Sequence, residues 1–191
     1  MIQSEPEPIS ETYQKLVSLD ISIKSSSWTS LEFNIHQYCQ KIVDAVLLYV
    51  VNQDDSGLSV EVSLLLSDDN NLQHLNMEYR NKDEPTNVLS FPFSEASRDE
   101  IMNMVKSKKH LFLGDIAISY ERVMKESLQQ EKRFIEHFSH ILIHGVLHLF
   151  KYDHITEEDA ELMEDMEGKV MRSLGFDHKP IRFTDDLVGG F

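Results

Sequence analysis

The stretch HGVLHLFKYDH, residues 144–154, decides how the chain is read. Three histidines stand at i, i+4 and i+10. In a helix, His144 and His148 project from one face, one turn apart, so their imidazoles can grip one metal ion. His154 supplies a third ligand if the chain turns back after Phe150. A pair of helix-face histidines would count for little, because most are ordinary core or surface residues. The third, placed after a turn, favours the metal. Three neutral imidazoles suit zinc and leave a fourth position for water, the mark of a catalytic rather than a structural site.

Two residues depart from the zinc-protease pattern that shares the H-x3-H-x5-H spacing. The general-base Glu is replaced by Gly145, and the turn glycine by Lys151. Loss of the carboxylate removes the group that zinc proteases use as general base. Lys151 is expected at positive φ, held there by His154 on the metal, at a cost of roughly 1–2 kcal/mol for a non-glycine residue. His140 lies one turn before His144 and reads either as a partner behind the ligands or as a plain buried polar residue. His137 reads as a surface histidine. Asp153 either orients a ligand histidine or faces solvent.

Outward from this stretch, an apolar-faced helix is expected over about 131–150. A last helix starts at Thr156, turns Leu162, Met163, Met166, Val170 and Leu174 inward, and stops at Gly175. Upstream, LFLGDIAIS (111–119) reads as a strand and 120–129 as a helix. NVLSFPF (87–93) is a short strand ended by Pro92. SEASRDEIMNMVKSKKH (94–110) is a charged insertion, partly helical near Ile101–Val105. Before it come a helix opened by Asp68 or Asp69 with Leu72, Leu75 and Tyr79 on one face, and the β-rich run LSVEVSLLL (58–66). NQDDSG (52–57) is a turn. A helix capped by Thr29 or Ser30 runs to about Val51, and DISIKS (20–25) is an edge strand. Strands interleaved with helices give an α/β (α+β) domain with one small sheet and about five helices. Residues 1–19 read as a flexible extension, 20–178 as a single domain and 179–191 as a tail.

The bulk numbers fit that picture. A chain of 191 residues suits one domain with a sizeable core. One cysteine, Cys39, allows no intrachain disulfide and fits a reducing cytoplasm. The N-terminal residues have no signal-peptide pattern, and the longest apolar run is far shorter than a membrane span. A net charge of −15 argues against a general nucleic-acid binder, but the charge is uneven. Residues 79–133 carry 10 Lys+Arg against 9 Asp+Glu, whereas 154–191 carry 4 against 10, so a local cationic groove is compatible with the acidic whole.

The stretches YRNKDEPTNVLSFPF (79–93), LGDIAI (113–118), EHFSHILIHGVLHLFKYDH (136–154) and MEDMEGKVMRSLGF (163–176) together closely resemble the YbeY family of bacterial endoribonucleases. The resemblance covers about residues 20–178. It implies a small domain with a mixed four-stranded sheet akin to the zincins, and one zinc on His144, His148 and His154. It also implies an essential Arg80, from the YR-x-KD motif. The implied activity is cleavage of single-stranded RNA in rRNA maturation, notably at the small-subunit rRNA 3′ end, and in ribosome quality control. The implied partners are RNA and the ribosome or its small subunit, with no membrane. Lys151 departs from the family, which has glycine there. An arginine can clamp a phosphate through two parallel hydrogen bonds, which lysine cannot copy. The competing reading is a non-catalytic ribosome-assembly factor with a structural zinc. Oligomeric state, cleavage position and the proton donor are not readable from these residues.

Overall fold

The computed structural model describes residues 17–51, 60–107 and 110–177. The expected turn at 52–57 and the tail at 179–191 lie outside these residues, as does the extension up to residue 16. Strand β1 (Val17–Ile23) is followed by a 3-10 turn (Ser26–Ser30) and α1 (Ile35–Val50). Then come β2 (Val60–Ser67), α2 (Asp69–Arg80), β3 (Val88–Pro92) and α3 (Arg98–Lys106). β4 (Leu111–Ser119), α4 (Tyr120–Gln129), α5 (Phe134–Leu149) and α6 (Glu157–Ser173) complete the order.

The four strands form one mixed sheet in the order β1-β2-β4-β3. β1, β2 and β4 run parallel, and β3 is antiparallel to β4 at the far edge. Successive strand residues face opposite sides, so each strand divides its residues between two layers. Val62, Leu64 and Leu66 of β2, Val88 of β3, and Ile116 and Ile118 of β4 join α1, α5 and α6 in the main core. Leu65, Leu89, Phe91 and Ala117 face the other way and pack on Leu72 and Leu75 of α2. α2 and α5 therefore lie on opposite faces of the sheet, with edge strand β3 between them. A bulge between Glu61 and Val62 faces Gly114, whose φ of 143° suits only glycine; a Cβ there would overlap the Phe91 carbonyl.

The mixed four-stranded sheet and α/β class match expectation, and several local boundaries do not. The first long helix is capped by Asn34, whose side chain accepts from Gln37 N–H, not by Thr29 or Ser30. Those two lie in the 3-10 turn that buries Trp28. The indole donates to the Ser67 carbonyl at 2.8 Å and meets the Tyr120 ring edge-on at 5.2 Å. This buried contact, 39 residues away in sequence, shapes the turn. β1 begins at Val17, three residues before the expected strand. The described residues contain six α-helices rather than about five, because the 94–110 insertion holds a full helix, α3, opened by a Ser97–Glu100 capping box. Leu162, expected to face inward, is 39% exposed, and Tyr79, expected on one face with Leu72 and Leu75, is 54% exposed.

Candidate metal centre

α5 is buried along almost its whole length: every residue from His137 to Leu149 is inside. A helix apolar all round belongs in a core, and its polar groups must then find partners. α5 carries four histidines on this stretch, so their partners define the site.

His144 and His148 sit one turn apart with ring centroids 4.5 Å apart. The helix ends at Phe150, and Lys151 takes the left-handed conformation with φ of 61°. Lys151 N–H donates to the His148 carbonyl at 2.9 Å, and Tyr152 N–H donates to the Leu147 carbonyl at 3.1 Å. These are the two bonds of a Schellman cap, with buried Tyr152 as its apolar clamp. Positive φ at Lys151 is thus as expected, but the helix cap itself accounts for it. The turn returns His154, whose ring centroid lies 5.8 Å from that of His144 and 5.3 Å from that of His148. One nitrogen from each of the three rings lies within 4.8 Å of the others.

Glu167 of α6, 1% exposed, fixes the tautomers behind this cluster. Its Oε1 accepts from His144 Nδ1 at 2.6 Å and its Oε2 from His140 Nε2 at 3.0 Å. Burial alone would raise this carboxyl's pKa, but His140 and His144 outweigh that and hold it well below the usual carboxylate range. With its Nδ1 proton on Glu167, His144 presents a bare Nε2. That atom faces His148 Nε2 at 2.8 Å. The His148 ring also hydrogen-bonds to the Tyr152 backbone. Burial lowers the His144 pKa, with Glu167 opposing. Burial, then His144 and His154, lowers that of His148 to about 2. Both rings are therefore neutral at physiological pH. Two neutral ring nitrogens converge on one point, and a third ring stands beside them. This donor set fits a divalent cation such as zinc, whose 2.0–2.1 Å bonds place tetrahedral ligands roughly 3.3 Å apart. Among the described residues the group offers three possible ligands, which would leave a coordination position open on a tetrahedral ion.

The remaining candidates divide. His140 is a partner behind the ligands, joined to them through Glu167. His137 is not on the surface: it is 0% exposed and its Nε2 lies 2.7 Å from Glu126 Oε2, because α4 covers that side of α5. Glu126 also accepts from Asn87 Nδ2 at 3.0 Å. Asp153 accepts from the His154 backbone N–H at 2.7 Å, so it shapes the turn. Gly145 faces the sheet. A Cβ there would lie 3.2 Å from Val88, Ser90 and Ile116 side-chain atoms, and Ser90 Oγ donates to its carbonyl at 3.0 Å. Close helix–sheet packing thus favours glycine at 145 over a larger side chain. Arg80 ends α2, donating from Nη1 to Asn76 Oδ1 at 3.4 Å. Its pKa is lowered by burial, with Glu84 opposing. Arg80 comes from the other face of the sheet, and it does not line the cavity beside the histidines. That cavity, about 320 Å³, runs from His144 and His154 along the start of α6, past Glu157, Glu161 and Glu164.

Glu167, which joins the histidine cluster, is a residue that the sequence patterns do not single out. The available signal is a carboxylate on the otherwise apolar inner stripe of the last helix, between Met163 and Val170. No helix among the described residues is long and apolar enough to cross a membrane.

A family profile described as Endoribonuclease YbeY matches residues 22–175. Among curated proteins, Endoribonuclease YbeY of Agrobacterium fabrum is 36% identical over 162 residues, covering 83% of this chain and 92% of that protein. The protein of the same name from Paramagnetospirillum magneticum is 37% identical over 161 residues, covering 84% and 94%. Among solved structures, the solution structure of TM1509 from Thermotoga maritima aligns with a TM-score of 0.53 at 20% identity, over 82% of this chain and 89% of that one. That likeness concerns the fold.

Proposed function

The chain belongs to the YbeY family of endoribonucleases, and from that premise we propose that it is a zinc-dependent endoribonuclease specific for single-stranded RNA. We assign it to rRNA maturation at the small-subunit 3′ end and to ribosome quality control, working in the cytoplasm on the ribosome or its small subunit. One domain spanning about residues 20–178 carries the activity.

The observation that carries this reading is the bond from His144 Nδ1 to Glu167, which turns the Nε2 atoms of His144 and His148 toward each other beside His154. These three histidines hold the zinc. Zinc bound there supplies Lewis-acid polarisation of a phosphodiester oxygen and activation of water. Glu167 keeps His144 in the ligating tautomer and, through His140, fixes the orientation of both rings. Burial keeps His148 unprotonated, so protons do not compete for its nitrogen near neutral pH. Arg80 clamps an RNA phosphate from the α2 side of β3. Among the described residues the candidate ligands number three, which favours a catalytic ion over a structural one, because structural zinc sites are closed by four protein ligands.

The test is cleavage of a defined rRNA precursor by zinc-loaded protein beside Arg80→Ala and His144→Ala. Loss of cleavage in both variants is expected. Equal cleavage by all three would assign the activity to a contaminant and overturn the proposal.

A further inference from the structure

Two aromatic pairs line the α2 side of edge strand β3. Tyr79, at the end of α2, meets Phe91 edge-on with ring centroids 5.0 Å apart and an interplanar angle of 67°. Phe93, just past the strand, meets Phe112 at 5.4 Å and 66°. Phe91 and Phe93 alternate along one strand direction, so they share a side, about 7 Å apart. The outer ring of each pair is open to solvent: Tyr79 is 54% and Phe93 71% exposed. Each packs against a partner ring while much of its own surface stays exposed.

Charge indicates what lies on these rings. The cavity wall formed by α6 carries Glu157, Glu161 and Glu164 and repels a phosphate chain arriving from that side. The chain as a whole carries −15, but the segment that contains both aromatic pairs is close to neutral. Arg80 adjoins Tyr79, and Lys82 follows it. Asp83, in the same loop, is engaged by Gln73 Nε2 at 2.8 Å. Aromatic faces beside a guanidinium are how proteins hold unpaired nucleotides, with the base on the ring and the phosphate on the cation. β3 connects the two halves of this arrangement: its other side packs on α5, where Ser90 bonds to Gly145, one residue from His144.

We propose that Tyr79 and Phe93 form a stacking platform for two unpaired bases of the RNA, with Arg80 next to Tyr79 in the chain, and that this platform selects single-stranded over duplex RNA. Paired bases cannot present a free face to either ring. The proposal deepens the endoribonuclease reading and rests on it.

The test measures equilibrium binding by zinc-loaded protein of a short single-stranded oligoribonucleotide, the same strand made abasic, and its duplex. Tyr79→Ala with Phe93→Ala is expected to weaken single-strand binding by about tenfold or more. Binding of the abasic strand and of the duplex should not change. Tyr79→Phe with Phe93→Trp should retain the affinity, and the indole emission gained through Phe93→Trp should fall on addition of the single strand. Undiminished single-strand binding by the double alanine variant overturns the platform and leaves those rings to a protein partner. An equal loss on the abasic strand also overturns it, since charge or folding would then be the cause. A wild-type protein that binds no single-stranded RNA would instead sink the endoribonuclease reading itself.

Discussion

His144 Nδ1 lies 2.6 Å from Glu167 Oε1, in a pocket where both side chains are 1% exposed. This one bond joins α5 to α6, sets which nitrogen of His144 faces the other histidines, and leaves the carboxylate's second oxygen for His140. It is the mechanical basis of the candidate metal centre.

Replacing that carboxylate should therefore weaken metal binding without touching a ligand. Glu167→Gln keeps the size and one acceptor oxygen but loses the charge and half the acceptor capacity. Zinc affinity should fall about 10–100-fold, measured by competition with a chromophoric chelator. Unchanged affinity would mean that the histidines are oriented by packing alone.

The same groups make the metal-free protein acid-sensitive. His148 has a folded pKa of about 2 against an ordinary 6.5, and His144 is shifted the same way. Below pH 6.5 the unfolded chain binds protons that the folded rings refuse, so stability falls as pH drops from 6.5. Glu167, with its pKa depressed, adds stability that is present above its ordinary value of 4.5 and lost as pH falls further. Thermal melts should show the midpoint declining from about pH 7 to about pH 5. A flat profile over that range would contradict the buried neutral histidines.

Lys151 stores strain that glycine would release. At φ of 61° a lysine costs about 1 kcal/mol relative to glycine. Lys151→Gly should raise unfolding stability by about that amount in urea titration, and Lys151→Val should lower it. A loss of stability in the glycine variant would show that the lysine side chain makes a compensating contact.

At Gly145 the effect should be on the fold. Each Cβ contact of 3.2 Å is with a buried side chain of the sheet, so Gly145→Ala must push α5 outward or shift Val88 and Ile116. A destabilisation of about 1–3 kcal/mol is expected from denaturant midpoints. An alanine variant as stable as the wild type would show that helix–sheet packing does not exclude a carboxylate side chain at this position.

The parts legible in the sequence are those governed by local rules. His144 and His148 follow from helical period, and His154 from the turn letters after Phe150. Asp68 and Thr156 cap helices as their residue types suggest. What is not legible depends on distant partners. His137 is buried because Glu126 reaches it from α4, and Glu167 matters because α6 folds back onto α5. Neither pairing has a periodic signature. The start of α1 departs from its local letters because Trp28, held by Ser67 at the end of β2, makes a separate turn of residues that read as a helix cap. Gly145 is visible as a letter, but its reason lies in the approach of Val88 and Ile116 from two strands.

If His144, His148 and His154 hold one zinc ion needed for RNA cleavage, removing that ion must stop the reaction. The most direct test strips the protein of metal and measures cleavage of a single-stranded rRNA precursor while zinc is added back, with His148→Ala in parallel. The expected result is folded but inactive stripped protein, activity restored at one equivalent of zinc, and no restoration in the variant. Undiminished cleavage by stripped protein, or full activity in His148→Ala, would contradict it.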